Sequence, residues 1–273
     1  MTTTLLTGLP RSGTTLVCAC LNALPNCVAL TEPMNVPLHG NAEQAVSEVA
    51  AFARTTREGI LRLGRAPSMS RDGLMVDNTF EEVNHTGNLR RSAAKVADVK
   101  IEKPLTADFN LFIKHPAFFT ALAQPLAEAF PFYAIVRHPL AALASWQSVD
   151  FNVRQGRMPA AEAYAPALRE RLEQIATPLA RQIALIQWMF RLYRALPPGH
   201  VLTYEALVRD PAATLRPLSG SPAPVTHPIC EINLKTRYPG VDFAALAQAL
   251  LPIEADIEPF YPGFAASLRH LPG

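Results

Sequence analysis

The sequence lacks long apolar runs and has few cysteines. No stretch of its 273 residues approaches the ~20 consecutive apolar residues that a membrane span needs. Its four cysteines lack metal-ligand spacing, and Cys18, Cys20 and Cys27 fall in or just after the first predicted helix, where they are typical small core residues. We therefore expect reduced thiols and a cytoplasmic protein.

An excess of charge of either sign is also lacking. The formal net charge is +2, which gives no reason to expect general binding to nucleic acid or to a membrane surface. Hydrophobic residues make up 49% of the chain and charged residues 18%, which is typical of a globular protein. Strand-like segments alternate with helix-like segments, and this order predicts an α/β fold with a central parallel sheet flanked by helices.

The clearest motif is a glycine-rich loop between the first predicted strand and the first predicted helix. Gly8 and Gly13 are separated by four residues, as in a Walker A motif. The lysine of that motif is missing, because Thr14 and Thr15 follow Gly13, and Arg11 is the cation of the loop. Backbone N–H groups and the helix start still favour an anion. The loop therefore predicts a P-loop-type domain that binds a phosphate-like group without being an ordinary nucleoside triphosphatase.

A second group of polar residues follows the best candidate for a buried strand, Phe132–Val136. In magnesium-dependent P-loop enzymes, such a strand ends in an acidic residue that helps to hold the metal. Here the next residue is Arg137, and Ser145 lies eight residues further on. Because ligands bind at the carboxyl ends of parallel strands, this pair predicts a second anion site near the loop. The two sites favour a ligand with two separated phosphates and no metal ion.

Taken together, these motifs resemble those of the PAPS-dependent sulfotransferases, where PAPS is 3′-phosphoadenosine-5′-phosphosulfate. Residues 8–16, GLPRSGTTL, are similar to the 5′-phosphosulfate loop of that family, and residues 135–145, IVRHPLAALAS, resemble its 3′-phosphate motif. Residues 202–211 resemble its Tyr-Glu segment, and residues 111–122 resemble the Lys-x-Pro segment of bacterial members. The resemblance implies sulfonate transfer from PAPS to a hydroxyl acceptor, with 3′,5′-ADP as the product. That acceptor is a small molecule, a glycan, a lipid or a peptide.

The resemblance also implies which residues hold PAPS. The residues assigned to the 5′-phosphosulfate are Arg11, Ser12, Gly13, Thr14 and Thr15. Arg137 and Ser145 are assigned to the 3′-phosphate, and Tyr204 to the face of the adenine. The C-terminal phosphate-binding segment of the family is not recognisable, so the similarly placed basic residues Lys235 and Arg237 are assigned to its role.

Two residues compete for the role of the general base that takes the proton of the acceptor hydroxyl. Glu32 lies in a Thr-Glu-Pro context that resembles sulfotransferases with a glutamate base, and burial is expected to raise its pKa. His115 has an ordinary pKa suited to proton transfer, but it follows Lys114 by one residue rather than two, which reverses the facing of a strand side chain. We favour Glu32 and keep His115 as the alternative. Lys114 and Arg11 are expected to stabilise charge on the leaving nucleotide.

Functions of two other classes stay open, a nucleotide kinase or NTPase-like enzyme and a non-catalytic module that binds 3′,5′-ADP. One domain is predicted over residues 1–273, in which residues 36–108 form a variable insert on the acceptor side. Within this insert, residues 64–75 are predicted as a loop from their Gly, Pro, Arg and Ser content. Arg90 and Arg91 are predicted as a solvated surface pair. The motifs do not specify the acceptor.

Overall fold

The computed structural model describes residues 2–37, 41–81, 89–229 and 237–269. The strands within these ranges are β1 (Thr3–Gly8), β2 (Cys27–Thr31), β3 (Arg65–Arg71), β4 (Leu74–Met75), β5 (Lys95–Lys100), β6 (Asn110–Lys114), β7 (Phe132–Val136) and β8 (Val201–Thr203). The helices are α1 (Thr14–Ala23), α2 (Ala42–Leu63), α3 (Pro116–Ala121), α4 (Ala123–Ala129), α5 (Pro139–Gln147), α6 (Pro159–Glu162), α7 (Pro166–Glu173), α8 (Pro178–Arg194), α9 (Tyr204–Arg209), α10 (Pro211–Ser219), α11 (Phe243–Leu250), α12 (Glu254–Ile257) and α13 (Phe264–Arg269). Short 3₁₀ helices cover Asn152–Gln155 and Leu251–Ile253.

The central sheet is five-stranded and parallel, in the order β2-β6-β1-β7-β8. Strand β1 lies in the middle and pairs with β6 on one side and β7 on the other. Every residue of β2 and β7 is buried, as expected of parallel strands that are covered on both faces. The predicted α/β fold with a parallel sheet is confirmed.

Helices cover both faces of this sheet and bring its carboxyl ends to one edge of the molecule. One face packs against α1 and α10, through residues such as Val17, Leu21 and Leu215. The other face packs against α5 and α8, where Trp146 is fully buried. None of the helices in the described ranges is long and apolar enough to cross a bilayer.

The predicted loop at residues 64–75 is wrong, because the segment forms β3 and β4. With β5 these strands build a separate antiparallel sheet in the order β4-β3-β5. The buried positions of β3 are Ala66, Ser68 and Ser70, which are small or polar, so the alternation typical of a strand is hidden in the sequence. Ser68 Oγ accepts a hydrogen bond from the backbone N–H of Thr31 at 3.0 Å, which fixes this sheet beside the end of β2.

Candidate active site

The carboxyl ends of the five parallel strands carry the polar residues that the sequence singles out. Arg11 is in the loop after β1, Glu32 follows β2, Lys114 ends β6, Arg137 follows β7 and Tyr204 follows β8. All five line the same cavity, which has a volume of about 550 Å³. The structure therefore brings together the two predicted anion sites and the predicted base, and their roles stay predictions.

The glycine-rich loop is held close to the sheet and opens toward the cavity. A Cβ on Gly8 would lie 2.1 Å from the carbonyl oxygen of Ile135, and one on Gly13, which has φ 87°, would lie 2.6 Å from the ring of Tyr204. Gly13 precedes α1 and offers no side chain to cap it. Since the first N–H groups of a helix lack partners within the helix, this end of α1 suits a bound anion.

The side chains of two predicted ligands are turned into the protein instead of the cavity. Ser12 is fully buried, and its hydroxyl donates to the carbonyl oxygen of Ile135 at 2.7 Å. Ser145 is also buried, and its hydroxyl accepts a hydrogen bond from Nε of Arg11 at 3.3 Å. In this geometry Ser12 shapes the loop and Ser145 orients Arg11. The carbonyl of Pro10 is held in the same way, by the indole N–H of Trp146 at 2.7 Å.

Guanidinium groups are concentrated at the end of the cavity where the sequence predicts the donor PAPS, which we call the donor end. Arg11, Arg137 and Arg237 line it, and Arg90 lies next to them against Tyr238. The pKa of Arg11 is lowered to about 10, mainly by burial and then by the charges of Arg90, Arg137 and Arg237, while Tyr238 opposes them. Among the described residues, no carboxylate lies within ion-pair distance of Arg11 or Arg137. Such a cluster is stabilised by an anion placed between its members.

Arg90 is not the solvated residue that the sequence predicts. Its side chain is 2% exposed, and Nη2 donates to the hydroxyl of Ser148 at 2.7 Å. The segment is extended and Arg90 forms a bridge with Val149, so successive side chains point to opposite sides. Arg91 accordingly points outward, 3.9 Å from Asp150. Nothing in the dipeptide itself marks which of the two arginines is buried.

Tyr238 is a site residue that the sequence analysis missed. It is 3% exposed, and its ring lies 6.0 Å from the guanidinium of Arg90. Burial raises the pKa of its phenol, but Arg137, a hydrogen bond with Ser145, and Arg11 together lower the pKa by more. The phenol oxygen thus occupies a strongly positive environment. Of the two basic residues assigned beside it, Arg237 lines the cavity, whereas Lys235 lies outside the described residues.

Tyr204 and Arg137 form one contact unit at the end of β7 and β8. The guanidinium of Arg137 lies 4.4 Å from the centre of the Tyr204 ring, within the range of a cation–π contact. Both side chains are largely buried but still reach the cavity. The Tyr204 ring also covers Gly13, so it links the glycine-rich loop to the second anion site.

Glu32 and Lys114 form an ion pair at the opposite end of the cavity. Nζ of Lys114 donates to Oε1 of Glu32 at 2.7 Å, with side-chain exposures of 2% for the lysine and 38% for the glutamate. Burial acts to raise the pKa of Glu32, but Lys114 and His115 outweigh it, and the pKa lies below its ordinary value. The expectation of a raised pKa is therefore wrong, because the lysine stabilises the carboxylate in place.

His115 lies under the site and does not line the cavity. Its Nε2 accepts a hydrogen bond from the backbone N–H of Met34 at 3.2 Å, and its ring packs against Phe118 and Phe119. Burial lowers its pKa to about 4, with Lys114 adding to the effect and Glu32 opposing it. The structure thus gives His115 a supporting position and leaves Glu32 as the candidate base that reaches the cavity.

The lowered pKa of His115 predicts how stability depends on pH. Between pH 6.5 and about 4, the imidazole is protonated in the unfolded chain but not in the folded protein. Unfolding is therefore favoured as pH falls through this window, by on the order of 3 kcal/mol from this group. His115→Gln should flatten the dependence in urea unfolding curves measured from pH 7 to pH 4. Curves that change with pH in the same way for both proteins would contradict it.

Known proteins include several whose structures are similar to this chain. No curated protein sequence matches the chain. Among solved structures, the chain is similar to the sulfotransferase domain from the curacin biosynthetic pathway, with 15% identity over 88% of this chain and 78% of that one and a TM-score of 0.35. It is similar to a sulfotransferase from Alicyclobacillus acidocaldarius, with 14% identity over 95% of both chains and a TM-score of 0.39. It is also similar to sulfotransferase STF1 from Mycobacterium tuberculosis H37Rv, with 14% identity over 95% and 76% of the two chains and a TM-score of 0.32.

The sequence model of the Sulfotransferase family matches residues 4–219. This range includes the ends of all five parallel strands, from the glycine-rich loop to Tyr204. The match covers most of the chain, and the chain therefore belongs to the sulfotransferase family.

Proposed function

We propose that the protein transfers a sulfonate group from PAPS to a hydroxyl acceptor without the help of a metal ion. The observation that carries the proposal is the placement of Arg11 and Arg137. They follow neighbouring strands, β1 and β7, face the same cavity, and have no carboxylate partner among the described residues. Two fixed cations that line one cavity suit a nucleotide with phosphates on two of its positions.

The chemistry of the donor end fits PAPS. The amides at the start of α1 and the guanidinium of Arg11 would hold the 5′-phosphosulfate. Arg137 would hold the 3′-phosphate, with Arg90 and Arg237 adding positive charge on the same side. The ring of Tyr204 offers a flat face for the adenine. The cavity volume of about 550 Å³ lies within the range of ordinary ligand sites.

The residues of this chain would share the work of the transfer. PAPS supplies the sulfonate group and leaves as 3′,5′-ADP. Glu32 accepts the proton of the acceptor hydroxyl, and Lys114 keeps that carboxylate ionised and oriented. Arg11 and the loop amides stabilise the charge on the leaving phosphate, where one positioned donor is worth ~10²–10³ in rate.

The alternative of an ordinary nucleotide kinase or NTPase has less support. The loop has no lysine after Gly13, and β7 ends in Arg137 where such enzymes have a metal-holding acid. A non-catalytic module that binds 3′,5′-ADP would not need Glu32 and Lys114 in the cavity. The cytoplasmic location stays a prediction.

Thermal unfolding with four nucleotides tests the proposal. We expect PAPS and 3′,5′-ADP to raise Tm, because a ligand at 100 times its Kd stabilises the folded state by ~2.7 kcal/mol. ATP and GTP with Mg²⁺ should have far smaller effects. Stabilisation by ATP with Mg²⁺ but not by 3′,5′-ADP would overturn the proposal. Binding of 3′,5′-ADP with no transfer to phenol, sugar or peptide acceptors would favour the non-catalytic module.

A further inference from the structure

The cavity extends from the donor end to a second half with a different character. This acceptor half begins at Glu32 and Lys114 and is walled mainly by apolar side chains. They come from β3, from the segment that follows β4, from α3 and from residues 151–158. The apolar wall consists of Met69, Phe80, Ala117, Phe151, Val153 and Met158.

Two phenylalanine rings dominate the wall of the acceptor half. Phe80 and Phe151 meet edge to face, with ring centroids 5.7 Å apart and an interplanar angle of 84°. Phe80 is 6% exposed and lies under the guanidinium of Arg11, at 4.6 Å. Phe151 is 50% exposed and lines the same cavity. The exposed part of the Phe151 ring is therefore the surface most available to a flat apolar ligand, with the Phe80 ring behind it.

Several polar groups on the acceptor half are already used within the protein. Oδ1 of Asn78 accepts from Nη1 of Arg11 at 3.1 Å and from the backbone N–H of Phe80 at 3.3 Å. The hydroxyl of Ser92 donates to the carbonyl oxygen of Ala94 at 3.2 Å. A ligand with many hydroxyls, such as a sugar, would lose its hydrogen bonds to water on entering and regain few of them.

The charged groups on the acceptor half also argue against an acidic ligand. Arg157 is paired with the carboxylate of the buried Glu162, because its Nε–H is shared between both carboxylate oxygens and its Nη2 donates to Oε2. Asp77 lies 3.3 Å from His227 and is half-exposed, so it would repel an acidic peptide. Glu32 is paired with Lys114. This half therefore differs from the donor half, where Arg11 and Arg137 lack such partners among the described residues.

We propose that the acceptor is an uncharged aromatic alcohol, a phenol whose ring lies against Phe151 and Phe80 and whose hydroxyl points toward Glu32. The inference rests on the proposed function. In the reaction the bond between sulfur and the leaving phosphate oxygen breaks and a bond between sulfur and the phenol oxygen forms. The phenol proton passes to the carboxylate of Glu32.

Binding measurements on the protein saturated with 3′,5′-ADP test this acceptor class. The probes are 2-naphthol, N-acetylglucosamine and a tyrosine peptide flanked by glutamates, each titrated by calorimetry and then assayed for transfer from PAPS. We expect 2-naphthol to bind at least 10-fold more tightly than the other two and to be sulfonated. A preference for the sugar or the peptide would overturn the acceptor assignment and leave PAPS dependence intact. Failure to bind 3′,5′-ADP at all would instead overturn the proposed function.

A pair of variants tests whether the preference for 2-naphthol depends on the aromatic side chains of the cavity wall. Phe151→Ala removes a half-exposed ring and should weaken 2-naphthol binding by about 2- to 10-fold, with the Kd for 3′,5′-ADP unchanged. The matched control is Leu74→Ala, a 73% exposed apolar residue of β4 that does not line the cavity. Equal affinity of both variants for 2-naphthol would contradict the proposed contact.

Discussion

Replacing Glu32 by glutamine is expected to lower kcat for sulfonate transfer by ~10²- to 10⁴-fold, because an amide cannot take the proton of the acceptor hydroxyl. Glutamine keeps an oxygen that can accept from Nζ of Lys114, which lies 2.7 Å from Oε1 in the wild type. The Kd for 3′,5′-ADP should therefore stay close to that of the wild type. The rate of sulfonate transfer is measured by quantifying the released 3′,5′-ADP over time by chromatography.

The control is Glu128→Gln, on the exposed surface of α4, which should leave kcat unchanged. Glu32→Asp keeps the charge but shortens the side chain, so its kcat should lie between that of the wild type and that of Glu32→Gln. The pH profile gives an independent check. Because the pKa of Glu32 is below 4.5, the wild-type base is ionised above that pH, and its activity should fall only as pH drops through the lowered pKa. Near-full turnover by Glu32→Gln would exclude the carboxylate as the base.

Replacing Arg137 by alanine is expected to weaken binding of 3′,5′-ADP by 2–5 kcal/mol, or roughly 30-fold to several thousand-fold. The guanidinium is 5% exposed, so an ion pair with a phosphate here would be shielded from water. The loss should depend on the 3′-phosphate. Titration of wild type and variant with 3′,5′-ADP and with 5′-AMP forms a double-mutant cycle between the arginine and that phosphate.

The cycle separates a direct contact from a general disturbance of the site. If Arg137 holds the 3′-phosphate, Arg137→Ala should weaken 5′-AMP binding far less than 3′,5′-ADP binding. Arg209→Ala, an exposed arginine at the end of α9, is the control and should change neither affinity. An equal loss for both nucleotides would mean that Arg137 acts through Tyr204, whose ring it covers, and not through the phosphate.

The part of the site that the sequence predicts is the part fixed by the topology of a parallel sheet. Arg11, Glu32, Lys114, Arg137 and Tyr204 each lie at or just after a strand end, and all parallel strands of one sheet end at the same edge. Motif spacing along the chain is therefore enough to bring them together. Side chains alternate in direction along extended backbone. This is why Lys114 lines the cavity and His115, the next residue, does not.

The residues that the sequence did not reveal are those placed by long-range packing. Arg90 is buried through a bridge to Val149, and Tyr238 reaches Ser145 from the C-terminal part of the chain. The expectation for the pKa of Glu32 is wrong for the same reason, since it depends on how closely Lys114 approaches. Phe151 could not be predicted either. It lies just before a 3₁₀ helix, and no sequence pattern around it indicates that its ring lines a cavity.

The central position of β1 has a consequence for the order in which the sheet and its cavity can form during synthesis. Thr3 pairs with Leu111 and Leu5 pairs with Phe132, so β1 is made well before β6 and β7, the two strands that flank it. The edge strand β8, which carries Tyr204, is added later still. Contacts of such wide sequence separation form slowly. A nascent chain that stops before β8 therefore carries the glycine-rich loop but lacks Tyr204 and the later residues that complete the cavity.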